Sequence, residues 1–245
     1  MPASLNVRSL APVLVAAALL SLPRVASAEH DFDAQTGSRL ADRPMKVSPQ
    51  VVGPMLKSAA RCALKSKPAA VARLLENSDP MQVDFKALAV KEDKLFEELG
   101  FVKCMQSQMT LAQFQMGVDF KPNALRSLLL EEAYLDARPS APRLPDAAVE
   151  QSSRHFVSEG ELLKQAQGLA AFADCITFKD SVGADAVLRT KPRSPEERTA
   201  ARALAPTLGG CLAEGQQISL TAENIRAVVA DGLWSRFGYG SKPHA

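Results

Sequence analysis

Few residues in this 245-residue chain are of types that do chemistry on their own. Four cysteines stand at 62, 104, 175 and 211, and three histidines at 30, 155 and 244. Structural zinc sites use closely spaced ligand pairs such as Cys-x-x-Cys, and a redox pair uses the same spacing; neither occurs here. His30 and His244 lie near the chain ends, and His155 has no serine or cysteine motif nearby, which reads as a surface or linker histidine. No G-x-S-x-G elbow, H-E-x-x-H pair, Walker loop or dinucleotide-type glycine pattern appears. The sequence therefore predicts no catalytic residue, metal site or cofactor.

Charged residues are the next candidates. Glu97–Glu98, Glu131–Glu132 and Glu196–Glu197 are adjacent on predicted helices, and neighbours on a helix point about 100° apart, so none makes an acid–base pair by itself. They read as solvated faces, except Glu132, which falls inside the apolar stripe of Leu125, Leu128 and Leu129. It is expected either at a fraying helix end or against a partner charge. Arg126 and Arg226 border apolar stripes, so their stems can pack while the guanidinium reaches out. One expectation makes them clamps onto a neighbouring helix's carbonyls or a carboxylate. The other makes Arg126, Arg226 and Glu132 the ligand-binding residues of a cleft, with the arginines holding an anionic group.

The elements that carry these residues repeat. "NALRSLLLEEAY" (Asn123–Tyr134) lies over "ENIRAVVADGLW" (Glu223–Trp234) with Leu125 on Ile225, Arg126 on Arg226, Leu129 on Val229 and Tyr134 on Trp234; Gly232 stands where the first window has Glu132. Aligning Cys62 with Cys175 matches Leu56 with Leu169, and Leu74–Leu75 with Val187–Leu188. Each copy reads as a helix with a cysteine, a second helix ending in a cysteine, a short extended link ("GVDF" and "QISL"), and a third helix with arginine and an aromatic. Ser48 before Pro49, Ser158 with Glu161 as a capping box, and Ser194 before Pro195 mark helix starts. Gly53 and Pro54 leave the first start open, at Pro49 or near Pro54. The Ala- and Leu-rich composition, poor in aromatics, leans the same way.

The predicted fold is all-α: two pseudo-symmetric copies of a three-helix, disulfide-stapled unit, with or without short extended links. Residues 29–47 read as a flexible arm, 48–137 as the first copy, 138–148 as a proline-rich linker, 149–238 as the second copy and 239–245 as a tail.

Address and charge bound the function. Residues 1–28 have one basic residue before "LAPVLVAAALLSL" and close on "ASA", the pattern of a secretory signal cleaved after Ala28. The apolar stretch is shorter than the roughly 20 residues a membrane span needs, so a periplasmic or secreted protein is expected, with no membrane span. Arg8 and Arg24 leave with the leader, which takes 29 basic residues to 27, against 27 acidic ones. A formally neutral chain has no basic field for nucleic acid. In an oxidising compartment the four cysteines read as two disulfides, and the duplication favours Cys62–Cys104 with Cys175–Cys211 among three possible pairings.

The segment from Phe172 to Trp234 carries a cysteine, "PRSPEER", "CLAEG" and "IRAVVADGLW". It resembles a set of uncharacterised exported proteins of alphaproteobacteria, with Ile225 and Trp234 where those have Leu and Tyr. The resemblance implies a bacterial periplasmic protein and brings no activity with it. The functional expectation is a non-catalytic binding or interaction module of the cell envelope, with an envelope protein or peptide as partner. The alternative is a small envelope hydrolase whose acidic and arginine site assembles between the two copies.

Overall fold

The computed structural model describes residues 48–108, 121–144, 148–212 and 220–238. The predicted leader and arm, the C-terminal tail, His30, His244 and nearly all of both extended links lie outside these residues. All described residues belong to one compact unit, Arg43–Ala245.

Helix α1 runs Pro49–Ser66, with Ser48 extended before it and its carbonyl accepting from the Val51 and Val52 N–H groups at 2.9 and 3.1 Å. The Gly53–Pro54 step does not delay the start. Pro54 lies inside the helix, where its missing N–H removes one i→i−4 bond without ending the helix. A side chain at Gly53 would press within 3.2 Å of Pro192 and Arg193. At Lys67 the chain leaves helical geometry, and α2 (Pro68–Glu76) begins on Pro68.

The single second helix expected over Phe85–Cys104 is instead a series of short pieces. They are α3 (Phe85–Leu88), a 3₁₀ turn at Glu92–Lys94, α4 (Leu95–Glu98) and α5 (Phe101–Gln106). Ala89 in the left-handed region (φ 54°) stops α3, and Gly100 (φ 66°) separates α4 from α5. Then α6 spans Pro122–Ala137.

The second half is plainer. Its first helix, α7, covers Gly160–Lys179, followed by α8 (Ser181–Arg189), α9 (Pro195–Ala203), α10 (Ala205–Gly209) and α11 (Ala222–Phe237). Ser194 caps α9 through the Glu197 N–H, as its sequence predicts. The expected Ser158–Glu161 capping box does not form: α7 starts at Gly160, the Ser158 hydroxyl donates to Asp79, and Glu161 faces solvent beside Lys164. More than three helical pieces thus occupy each predicted copy. Some correspondences are close: α2 and α8 are both nine residues, 113 positions apart (181 minus 68), and α6 and α11 are both sixteen residues, 100 apart (222 minus 122).

Neighbouring helices pack in the order α1 on α6, α6 on α11, α11 on α7, with α8 against α11 and α5 against α1. Leu125, Leu129, Leu130 and Tyr134 of α6, Ile176 of α7, Val187 and Leu188 of α8 and Val229, Ala230 and Leu233 of α11 lose all contact with solvent in one core. The cysteines pair as expected, Cys62 with Cys104 and Cys175 with Cys211, each with Cα atoms 5.7 Å apart. The first bridge fastens α1 to α5, and the second ties α7 to the turn after α10. Two disulfides fit an oxidising compartment. Among the described residues no helix is long and apolar enough to cross a membrane.

Candidate functional site

Helices α6 and α11 are buried nearly all round, which leaves their charged residues inside. Arg126, Glu131 and Glu132 on α6, and Arg226 and Asp231 on α11, are each at most 6 % exposed. A buried ion is tolerated only where it is paired and hydrogen-bonded. Each of these five is.

The pairs cross from helix to helix reciprocally. Arg126 of α6 meets Asp231 of α11 at 2.8 Å, and Arg226 of α11 meets Glu131 of α6 at 2.6 Å. Each arginine is also anchored behind. Arg126 donates to the Ser78 hydroxyl at 3.0 Å, which in turn donates to the Leu74 carbonyl near the end of α2. Arg226 donates to the carbonyls of Val187 (2.9 Å), Leu188 (3.2 Å) and Thr190 (2.8 Å) at the end of α8, and it pairs with Glu197 of α9. Bonding to helix-end carbonyls places a cation where the helix dipole favours it. Both arginines therefore sit as clamps.

Glu132 is not at a frayed end, since α6 continues to Ala137. Its carboxylate is held by Arg61 of α1 at 2.6 Å and Lys57 at 3.0 Å, while Lys57 also pairs with Glu131. Arg126, Arg226 and Glu132 do not converge on one cleft; Arg226 and Glu132 belong to the Glu131 cluster, and Arg126 to the Asp231 cluster. The expectation that the acidic pairs are solvated faces holds for Glu97, Glu98 and Glu196 and fails for Glu131 and Glu197, while Glu132, excepted from it, meets partner charges.

The Asp231 cluster is completed by a residue that sequence reasoning missed. Arg154, in the segment before α7, donates to Asp174 of α7 at 2.6 Å and pairs with Asp231. Its side chain is 7 % exposed. Burial pulls the Asp231 carboxyl upward, but Arg126 and Arg154 outweigh it and hold the group below its usual range. Glu131 goes the other way: burial, reinforced by Glu132, pushes it up against the attraction of Arg226 and Lys57. The backbone at Gly232 explains why Glu132 has no counterpart on α11. A Cβ there would lie 2.5 Å from the Ala173 carbonyl oxygen, so α7 and α11 touch at a point with no room for a side chain.

Asp79 forms a second junction. Its carboxylate accepts from Met81 and Gln82 in its own turn, and from the Val157 N–H (2.9 Å), Ser158 N–H (2.7 Å) and Ser158 hydroxyl (2.9 Å) just before α7. Tyr134 is a core aromatic whose hydroxyl donates to Asp185 at 2.7 Å, and Asp185 also takes a two-point contact from Arg189. Burial and Asp185 push the Tyr134 hydroxyl's pKa up.

A small recess opens beside the Asp231 cluster, lined by Asp79, Arg126, Arg154, His155, Asp231 and Ser235 among others. Trp234 also borders it, half-buried. Among the described residues no His, Cys, Asp and Glu side chains gather as a metal-ligand set.

Two signals in the sequence pointed here. Glu131 and Asp231 occupy the same column of the internal alignment as a repeated acid, and Asp174 interrupts the apolar run from Ala170 to Phe178. Comparison of the chain with protein-family models, curated proteins and solved structures gave no match.

Proposed function

We propose that the chain is a non-catalytic interaction module of the bacterial cell envelope, exported on its N-terminal leader and built by internal duplication. The observation that carries this reading is the reciprocal exchange Arg126–Asp231 and Arg226–Glu131. The residues best suited to bind an anionic substrate or move a proton are spent on joining α6 to α11, so they act as scaffold and the outer surface is left for recognition. A self-complementary exchange, in which each half gives the other the same kind of contact, is the mark of a two-fold relation. The matched lengths and spacings of α2 with α8 and α6 with α11 support duplication as its source. The two disulfides support the periplasm or the exterior as the place where the module works.

The test is cross-linking of the tagged chain in the envelope of its host, followed by recovery under non-reducing conditions. A stoichiometric protein or peptide partner is expected. Recovery of the chain alone, together with turnover of an ester or peptide probe, would favour a second reading, the small envelope hydrolase. That reading draws on one observation: His155, Asp231 and Ser235 line a common recess. Loss of such turnover in Ser235→Ala would assign it there.

A further inference from the structure

We infer that the face formed by α7, α11 and the Asp79 turn is a docking groove for an extended segment that carries an arginine. Residues 152–158 of the chain itself fill that groove as a resident occupant, which a partner's segment displaces. The inference rests on the interaction-module reading and names its surface and its ligand chemistry.

Residues 152–159 have no helix or strand structure, and inward and outward positions alternate from Ser152 through His155 as in an extended peptide. Their polar groups are satisfied the way a bound peptide's are. The Ser152 N–H and hydroxyl go to Asp174 at 3.0 and 2.7 Å, and the Val157 and Ser158 N–H groups go to Asp79. Between these two anchor points the Arg154 guanidinium enters a slot made by Asp174, Asp231 and the Ala170 carbonyl. This is side-chain specificity added to backbone affinity, as in other modes of extended-peptide recognition.

The slot's charge fixes the occupant. With Arg154 removed, Asp79, Asp174 and Asp231 would be left with Arg126 at Asp231 and Arg236 toward Asp174, three acids against two cations. A planar guanidinium can bridge two carboxylates and a carbonyl at once, whereas an ammonium offers a single point charge. The N-terminal half needs no such visitor, because Lys57 and Arg61 of α1 supply its cations from within the helix.

The resident segment also leaves its groove incompletely filled. The recess beside Arg154, His155 and Phe156 persists, and the Ser235 hydroxyl lining it, on a residue 6 % exposed, has no hydrogen-bond partner among the described residues. A displacing segment with a polar group at this place gains a bond that the resident lacks.

The experiment uses the full chain carrying Arg154→Gln and a fluorescent peptide of the sequence EQSSRHFVSE, read by anisotropy. Removing the resident arginine relieves competition from a tethered segment whose effective concentration is in the millimolar range, so Arg154→Gln is expected to bind the peptide at least about tenfold tighter than the unaltered chain. A peptide with glutamine in place of the arginine is expected not to bind. Equal binding of both peptides, or no binding by a folded Arg154→Gln chain, overturns the inference. If Arg154→Gln is unfolded, the arginine peptide added in excess is expected to restore its helical circular dichroism, and failure to do so also overturns it. Should the groove fail while an envelope partner is still recovered by cross-linking, the module reading stands and only its surface is wrong.

Discussion

The Glu131 and Asp231 clusters occupy matching places on α6 and α11, yet they are built differently. Asp231 pairs with both Arg126 and Arg154; Arg154 also has Asp174, and among the described residues Arg126 has the Ser78 hydroxyl behind it. Around Glu131 the partners overlap: Arg226 also has Glu197 and the α8 carbonyls, and Lys57 also has Glu132. In the Asp231 cluster Arg154 keeps Asp174 as a second carboxylate while Arg126 has no other among the described residues, whereas around Glu131 both Lys57 and Arg226 have a second one. Equivalent positions can therefore carry unequal energetic weight, because the penalty for losing one partner is set by what the survivor has left.

The harshest way to break the comparison is to import the residue of one half into the other. Gly232→Glu puts a carboxylate where even a Cβ would meet Ala173 backbone, and we expect no folded soluble protein, judged by circular dichroism and gel filtration. The reverse change is mild. Glu132→Gly leaves Lys57 with Glu131 and Arg61 with solvent, its side chain being 54 % exposed. The expected loss in urea unfolding is roughly 1–2 kcal/mol, about half of it the helix propensity of glycine.

The disulfides give a control in which the halves should behave alike. They close loops of 42 and 36 residues. Loop-closure entropy assigns each about 4 kcal/mol, with a difference of only about 0.1 kcal/mol. Cys62→Ser with Cys104→Ser, and Cys175→Ser with Cys211→Ser, are expected to lower stability equally. A large inequality would locate strain or residual structure in one half.

The smallest effect is in pH dependence, and its sign differs between the clusters. Asp231 is held low when folded, so its contribution is present above its ordinary value near 3.8 and fades only as pH falls through its lower folded value. Glu131 is pushed up when folded, so its contribution is fullest below its ordinary value near 4.5 and is lost as pH rises through the folded value. Measured by urea midpoints, the deficit of Glu131→Gln against the parent chain should therefore shrink as pH rises from about 4.5.

Much of the fold was legible in the sequence: helical character from composition and period, and the disulfide partners from matched cysteine positions and their even number. The α2 helix was not, because Pro68 reads as the terminator of α1 while it serves as the first residue of a new helix. The break at Ala89 has no local signal, since a non-glycine residue at positive φ is chosen by surrounding packing. The capping box at Ser158 failed because a tertiary acceptor, Asp79, won the hydroxyl. The site was legible in part. Arg126 and Arg226 stood out as a repeated column, but Arg154 and Lys57 acquire meaning only from partners 20 to 77 residues away.

The central claim is that buried ion pairs join α6 to α11 with their weight concentrated on Asp231. Its most direct test is urea unfolding of Asp231→Asn and Glu131→Gln side by side at pH 7. Leaving the buried Arg126 without a carboxylate, while Arg154 keeps Asp174, should cost about 3–5 kcal/mol, and the doubly supported cations around Glu131 should limit that loss to roughly 1–2 kcal/mol. Equal losses, or a larger one for Glu131→Gln, would contradict the account.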